Sequence, residues 1–277
     1  MAFSPEEMQA YEYIKRTVTK GKHGVDQPVA IVLGGQPGAG KSGLYEIARE
    51  RFSDNIVELD CDAFRQYHPH SEQLAQDAAT YGEKTNPFVF EVVDRLVAEL
   101  SDQGYNMIIE SSMKSSHTAL ENHALLSPKG YAIEACIMAT PKDVSWQGVV
   151  DRYNSQLAKG IQARMVPQEF HDMVVAQLPG AADEIYRSGK MSNIRIYNRD
   201  REVLYDMQQT PDISPKATLE ERVQGARGTQ ERSSQQKKPF YFDRHRRSKL
   251  RASSAQAKPK QPEKKMPQRE KNIHDLS

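Results

Sequence analysis

The stretch "LGGQPGAGKSGL", from Leu33 to Leu44, decides the fold of this chain. It places Gly35, four intervening residues, and then Gly40, Lys41 and Ser42 in the spacing of a nucleotide phosphate-binding loop. Glycines let the backbone wrap around a phosphate chain so that several N–H groups point inward. The spacing therefore predicts a site for a nucleoside triphosphate.

The residues on either side of the loop agree with this interpretation. Pro28–Gly35 is a short apolar run that predicts a buried parallel strand, and Ser42–Phe52 predicts a helix. In that setting we expect Lys41 to reach the β- and γ-phosphates, and Ser42 to offer its hydroxyl to Mg²⁺. The predicted phosphate-binding residues are Gly35, Gln36, Pro37, Gly38, Ala39, Gly40, Lys41 and Ser42.

The chain up to residue 225 alternates between apolar runs and helical stretches. The runs that predict further strands are Asn55–Asp60, Tyr105–Glu110, Tyr131–Ala139 and Asn193–Asn198. Helices are predicted between strands, as at Phe88–Leu100, and before the first strand, at Ser4–Thr19. The alternation predicts an α/β fold with a parallel sheet that is flanked by helices on both faces. Ligands of such sheets bind at the carboxyl ends of the strands.

Charge and composition divide the chain into two parts. From Arg227 onward there are 15 Lys and Arg against 5 Asp and Glu, whereas the preceding residues hold 23 against 32. The later part is rich in Pro, Lys and Gln and lacks the apolar residues for a core. We predict a folded domain over residues 1–225 and a disordered basic tail over residues 226–277. The run "KKPFYFDRHRRSKLR" leaves open a contact of the tail with nucleic acid or an acidic membrane surface, although a solvated tail is the favoured interpretation.

The other bulk features indicate a cytoplasmic protein. The two cysteines, Cys61 and Cys136, are too few for a disulfide framework and lack the spacing of a metal site. The N-terminus shows no apolar signal-peptide run, and no stretch approaches the roughly 20 apolar residues that span a membrane. We therefore expect reduced thiols, a cytoplasmic location and no membrane partner.

Two acids follow the second predicted strand, in "ELDCDAF". On an extended chain Asp60 and Asp62 would point to the same side, about 7 Å apart. One of them could orient water bound to Mg²⁺, and the other could accept a proton from an attacking hydroxyl. An Asp base suits a kinase that transfers phosphate to an acceptor. A second interpretation, in which the pair caps a helix beginning near Ala63, is compatible with catalysis.

Three more charged residues are candidates for the same site. Glu110 ends the third strand, where a buried carboxylate needs a cation or a hydrogen-bond donor. Contact with Mg²⁺, contact with a sugar hydroxyl, and a place at a helix N-terminus all remain open for it. Arg152 and Arg164 follow the fourth strand, and phosphoryl transfer needs cations on the equatorial oxygens. Each arginine alone also fits a surface ion pair.

Over most of residues 25–220 the chain resembles the zeta toxin family of bacterial toxin–antitoxin systems. The resemblance is carried, in order and spacing, by "LGGQPGAGKS", "ELDCDAFRQYHP", "LSDQGYNMIIE", "DRYN", "ARMVPQEFHDMVVAQLP", "IRIYNRD" and "ISPKATLE". That family consists of P-loop kinases that phosphorylate the 3′-hydroxyl of the amino-sugar in UDP-N-acetylglucosamine and related UDP-sugars. The product blocks cell-wall precursor synthesis. The resemblance implies a P-loop kinase-like fold, ATP and Mg²⁺, a UDP-sugar acceptor, and a small helical epsilon-type antitoxin that occludes the ATP site.

The resemblance also implies roles for individual residues. Lys41 and Ser42 match the residues that bind ATP and Mg²⁺ in the family. Asp62 matches its general base, which also binds the acceptor. Arg152 and Arg164 match its two phosphate-binding arginines.

The acceptor side departs from the family pattern at two places. Asp94 and Glu110 fall where the family has acids near the UDP-sugar, but Asp94 is one methylene shorter than the usual Glu. Ser112 and Lys114 lie in Ser111–Lys114, where the family usually has a Gly-Thr-Gly-Arg-like run. Lys114 replaces the charge of that arginine but not its planar fork. Both departures bear on which UDP-sugar is bound.

Two other classes of function remain open. The first is a kinase of another small molecule, an antibiotic or a metabolite, on the same fold. The second is a nucleic-acid-binding protein that uses the basic tail and keeps the kinase core as an inactive scaffold. The intact set Lys41, Asp62, Arg152 and Arg164 argues against inactivity.

Overall fold

The computed structural model describes residues 3–160 and 163–224. The strands are β1 (Val29–Gly34), β2 (Val57–Leu59), β3 (Met107–Ile109), β4 (Ala132–Met138), β5 (Asn193–Tyr197) and β6 (Val203–Asp206). The α-helices are α1 (Pro5–Thr19), α2 (Ser42–Phe52), α3 (Cys61–Phe64), α4 (Ser71–Leu74), α5 (Tyr81–Ser101), α6 (His117–Leu126), α7 (Lys142–Ala158), α8 (Gln168–Arg187) and α9 (Lys216–Gln224). The predicted basic tail, residues 226–277, lies outside the described residues.

The strands form one six-stranded sheet in the order β2-β3-β1-β4-β5-β6. The five strands predicted from the sequence are confirmed and pair in parallel, with β1 between β3 and β4. The sixth strand was not predicted and runs antiparallel to β5, with Tyr205 opposite Ile196. This strand is a short edge strand in which only Tyr205 is buried, so it has no apolar run of the kind that the other strands show.

Both faces of the sheet are covered by helices, as predicted. Ala30 and Val32 of β1 belong to a large core that also contains residues of α1, α5, α6, α8 and α9. The alternate residues Ile31 and Leu33 belong to a smaller core with α2 on the other face. Because a central parallel strand is buried on both faces, its sequence reads as one continuous apolar run.

Two helices show how local sequence sets their ends. At the start of α1, the Ser4 hydroxyl accepts a hydrogen bond from the Glu7 N–H, and the Glu7 carboxylate accepts one from the Ser4 N–H. Helix α5 begins at Tyr81 rather than at the predicted Phe88, with Pro87 inside it. The additional turns carry residues into the cleft described below.

No helix in the described part of the chain is both long enough and apolar enough to cross a membrane.

Candidate active site

The phosphate loop joins β1 to α2 and depends on glycine at two positions. Gly38 and Gly40 have φ angles of +74° and +95°, which side chains other than glycine rarely adopt. A Cβ on Gly38 would also lie 2.0 Å from the backbone oxygen of Ser145 in α7. The loop can therefore close against α7 only with glycine at that position.

The loop is held from below by buried side chains. The Gln36 amide donates to the Thr140 carbonyl at 2.6 Å and to the Ser145 hydroxyl oxygen at 3.1 Å, and the Thr140 hydroxyl donates to the Ala39 carbonyl at 2.7 Å. The Ser145 hydroxyl also lies 2.9 Å from Nε2 of His171. Ser145 and His171 are fully buried. They therefore support the loop and are closed to a substrate.

The upper side of the loop fits a phosphate chain and Mg²⁺. Lys41 Nζ donates to the Gly35 carbonyl at 3.1 Å and lies 3.4 Å from a carboxylate oxygen of Glu110, and the Gly35 N–H donates to the Ser112 carbonyl at 3.4 Å. No side chain in the described part of the protein caps the N-terminus of α2. The positive end of the helix dipole there favours a bound phosphate. Ser42 begins this helix and is exposed.

A carboxylate pair lies beside the loop lysine. Asp60 hydrogen-bonds to Glu110, and burial together with the charge of Glu110 raises the pKa of Asp60 to about 7. The Tyr45 hydroxyl also donates to Glu110, at 3.3 Å. Carboxylate oxygens beside the lysine of the phosphate loop suit Mg²⁺, which takes its other ligands from phosphate and water. No cluster of three His, Cys, Asp or Glu ligands occurs among the described residues.

The expected extended arrangement of Asp60 and Asp62 is wrong. Strand β2 ends at Leu59, and the Asp60 carboxylate accepts hydrogen bonds from the N–H groups of Asp62 and Ala63, at 2.8 and 3.1 Å. Asp60 therefore caps α3, which contains Asp62, as the second interpretation allowed. Because the chain turns at this cap, Asp60 meets Glu110 while Asp62 meets a group of arginines.

Three arginines surround the Asp62 carboxylate. Arg65 Nε lies 3.0 Å from Oδ1, Arg152 Nη1 lies 3.7 Å from Oδ2, and Arg164 Nη1 is hydrogen-bonded to Oδ1. Burial acts to raise the pKa of Asp62, but the charges of Arg164, Arg65 and Arg152 outweigh it and hold that pKa below its usual value. The structure thus brings Asp62, Arg152 and Arg164 together, as expected from the sequence.

Two residues of this cluster were missed in the sequence. Arg65 is buried and donates to the Gly82 carbonyl at 3.0 Å and to the Thr85 hydroxyl at 2.7 Å, which fixes its side chain beside Asp62. A Cβ on Gly82 would lie 2.7 Å from Arg164 Nε, so this glycine leaves the space that Arg164 occupies. The spacing of Arg65 three residues after Asp62 was the available signal.

A cleft of about 1190 Å³ extends from the phosphate loop along α5 and α6. Lys41 and Asp62 line it at one end, and the exposed side chains of Phe90 and Leu125 also line it. The predicted acceptor residues Asp94, Glu110, Ser112 and Lys114 all line this cleft. Its volume exceeds the roughly 300–1,000 Å³ of ordinary small-molecule pockets, so it can hold an acceptor of nucleotide size.

The predicted acceptor residues differ in how closely they approach the phosphate loop. Glu110 contacts Lys41, but Asp94 lies among other acids, and burial together with Glu91 and Glu121 raises its pKa. Lys114 is exposed, with Nζ 5.8 Å from the ring centroid of Phe170. Lys114 is therefore available to an anionic group in the cleft.

Comparison with known proteins agrees with the motifs and the geometry. The family model described as Zeta toxin matches residues 14–210. Toxin zeta of Streptococcus pyogenes is 35% identical over 209 residues, which cover 74% of this chain and 72% of that protein. Toxin PezT of Streptococcus pneumoniae serotype 4 is 36% identical over 196 residues, which cover 69% of this chain and 76% of that protein.

Two solved structures are similar to this chain in fold. A structure from the PezAT chromosomal toxin–antitoxin system of Streptococcus pneumoniae has a TM-score of 0.73 and 31% identity, covering 83% of this chain and 90% of that one. The AvrRxo1-ORF1:AvrRxo1-ORF2 complex has a TM-score of 0.59 at 14% identity, which is a likeness of fold alone. With the family model matching most of the chain and curated relatives above 30% identity, this chain belongs to the zeta toxin family.

Proposed function

We propose that this protein is an ATP-dependent kinase that phosphorylates the amino-sugar 3′-hydroxyl of UDP-N-acetylglucosamine or a related UDP-sugar. The observation that carries the proposal is the position of Asp62, which lies between Arg152 and Arg164 in a cleft that Lys41 also lines. A base, two phosphate-binding cations and a phosphate loop in one cleft suit phosphoryl transfer. The identity of the acceptor rests on the family resemblance.

The phosphate donor is bound by the loop and its lysine. Lys41 Nζ, now held by the Gly35 carbonyl and Glu110, is in place to bind the β- and γ-phosphate oxygens. Ser42, with the pair Asp60 and Glu110, would hold Mg²⁺. When bound, the ion neutralises charge that develops on the β- and γ-oxygens.

The chemistry of transfer is assigned to Asp62 and the two arginines. Asp62 accepts the proton of the acceptor hydroxyl while the hydroxyl oxygen forms a bond to the γ-phosphorus. At the same time the bond between the γ-phosphorus and the oxygen that bridges it to the β-phosphate breaks, and ADP leaves. Arg152 and Arg164 bind the equatorial oxygens of the transferred group. Because both arginines pair with Asp62 in this structure, the γ-phosphate competes for them and frees the carboxylate for the hydroxyl.

The biological role follows from the relatives. Proteins named Toxin zeta and Toxin PezT, and a structure from a toxin–antitoxin system, support a toxin that is neutralised by an antitoxin. We propose a small helical epsilon-type antitoxin that occludes the ATP site. The toxin would act in the cytoplasm, where it would block cell-wall precursor synthesis.

A substrate panel tests the proposal. The purified protein is incubated with ATP, Mg²⁺ and a set of UDP-sugars, antibiotics and metabolites, and mass spectrometry detects one added phosphate. We expect a phosphate on UDP-N-acetylglucosamine or a related UDP-sugar with the natural protein, and none with Asp62→Asn. Phosphate on an antibiotic or metabolite alone would support the other small-molecule kinase and overturn the UDP-sugar assignment.

A further inference from the structure

The order of the strands in the sheet indicates where the nucleobase of the phosphate donor lies. Glu110 follows β3, and Asp62 lies just after β2, both on one side of β1 in the sheet. If Asp62 is the general base, the γ-phosphate must face Asp62 and Glu110. The nucleobase of a triphosphate bound in the loop then lies on the opposite side of β1, over the ends of β4 and β5. The loop Asn198–Glu202, which follows β5, belongs to that region.

This loop is held in one conformation by its own residues. The Asn198 side-chain oxygen accepts from the N–H groups of Asp200 and Glu202, at 3.0 and 2.9 Å, and its amide donates to the Glu202 carboxylate at 2.7 Å. Arg201 has a φ of +67°, an uncommon value for a residue with a side chain. Its guanidinium is ion-paired with Glu46 on α2. The loop is therefore fastened to the helix that begins at the phosphate loop.

The fastened loop brings Arg199 against the phosphate loop. A Cβ built on Gly40 would lie 3.3 Å from Arg199 Nε and 4.0 Å from Nη2. Arg199 is exposed, and within residues 3–160 and 163–224 it has neither an ion-pair nor a hydrogen-bond partner. The neighbouring Arg201, by contrast, is paired with Glu46 and Glu50. The guanidinium of Arg199 is thus accessible on the side of the phosphate loop where the nucleobase would lie.

We propose that Arg199 is a nucleotide-binding residue whose guanidinium packs on the face of the adenine base of ATP. A guanidinium is planar and weakly hydrated, and it stacks on aromatic faces. The inference rests on the proposed function, because it assumes a triphosphate donor in the loop, and adds a base contact to it. A contact with the base affects ATP but not inorganic tripolyphosphate, which has the same phosphate chain without a base.

Calorimetric titration of the full chain, without acceptor, tests the contact. The ligands are the Mg²⁺ salts of ATP and of inorganic tripolyphosphate, and the variants are Arg199→Ala, Arg199→Lys, Lys41→Ala and the control Arg16→Ala. Arg16 is an exposed arginine on α1. We expect Arg199→Ala to weaken ATP binding about three- to thirtyfold and to leave tripolyphosphate binding within about twofold. Arg199→Lys should recover little, because an ammonium has no planar face.

The outcomes separate this inference from the proposal on which it rests. Unchanged ATP affinity in Arg199→Ala, together with loss of both ligands in Lys41→Ala, would overturn the base contact and leave the donor site standing. Equal weakening of ATP and tripolyphosphate in Arg199→Ala would mean a phosphate contact and would also overturn it. If the natural protein binds neither ligand, the kinase proposal itself fails and the inference falls with it.

Discussion

Arg164 is hydrogen-bonded to Asp62 although 102 residues of sequence separate them. The arginine reaches the carboxylate over Gly82 of α5, where a Cβ would lie 2.7 Å from Arg164 Nε. Arg152 approaches the other carboxylate oxygen at 3.7 Å. The proposed general base and the two proposed phosphate-binding arginines therefore form one preassembled group. Its geometry depends on a glycine, Gly82, in the neighbouring helix α5.

Removal of the charge of Asp62 tests the base assignment. Asp62→Asn should keep ATP binding and lower phosphoryl transfer by about two to four orders of magnitude, because an amide cannot accept the proton. It should also abolish toxicity in cells. Single-turnover kinetics measure the effect, with the exposed Asp26→Asn as control. Near-normal turnover in Asp62→Asn would move the base role to Asp60 or elsewhere.

A methyl group at Gly82 should separate activity from stability. Alanine in a helix is more favourable than glycine by about 1 kcal/mol, so Gly82→Ala should not lose its fold through helix propensity. Its Cβ would displace Arg164, and we expect kcat to fall about 10- to 100-fold.

Gly180→Ala is the matched control for this variant. Gly180 also lies within a helix, α8, and a Cβ there would meet nothing within 4 Å. Thermal unfolding and steady-state kinetics on both variants give the answer. A Gly82→Ala enzyme with the kcat of the natural protein would show that the position of Arg164 does not depend on this glycine.

Lys114 lies where the sequence departs from its family, and its role can be measured directly. If its ammonium binds the diphosphate or sugar of the acceptor, Lys114→Ala should raise the KM for the UDP-sugar and leave the KM for ATP nearly unchanged. If the contact forms only in the transition state, kcat should fall instead. Lys114→Arg should shift the ranking among UDP-sugars, because reach and fork both change.

The control for Lys114 is an exposed lysine outside the cleft, Lys190→Ala. Steady-state constants for both substrates are compared across the variants. Unaltered constants in Lys114→Ala would place this lysine outside the acceptor site and leave the departure at Ser111–Lys114 without a role in catalysis.

The pair of Asp60 and Glu110 predicts a dependence of stability on pH. The pKa of Asp60 is raised from 3.8 to about 7 in the folded protein, so the folded chain holds this proton more tightly than the unfolded chain. The protonated Asp60 side chain therefore stabilises the folded state below about pH 4, and this contribution to the free energy of unfolding is lost as the pH rises to about 7. Asp60→Asn should remove this dependence, since asparagine also caps helices but does not ionise.

Urea unfolding of both proteins, without Mg²⁺ or nucleotide, measures this prediction. The free energy of unfolding of the natural protein, relative to that of Asp60→Asn, should fall between about pH 4 and pH 7. A difference that stays constant over this range would contradict the raised pKa.

The basic tail should be dispensable for transfer. Among the residues that the structure describes, those of the cleft, the phosphate loop and the arginine cluster lie before residue 225. Truncation after residue 225 should therefore leave the transfer rate unchanged, measured by the same mass-spectrometric assay. Loss of folding or of turnover in the truncated protein would show that the tail contributes to the domain.

Several features of the fold could be predicted from the sequence because the signals for them are local. The spacing of Gly35, Gly40 and Lys41 lies within one loop, and the parallel strands are continuous apolar runs because they are buried on both faces. The capping box at Ser4 is equally local. The sheet, its helical cover and the place of the phosphate loop followed from these patterns.

The tertiary structure decided several contacts that the sequence left open. Asp60 and Asp62 look equivalent in the sequence, but one caps α3 and meets Glu110, whereas the other meets the arginines, since a turn at the strand end sends them apart. The space that Gly82 leaves for Arg164 and the contact of Arg199 with Gly40 join distant parts of the chain. Such contacts depend on how the elements pack against one another, and no local pattern in the sequence encodes them.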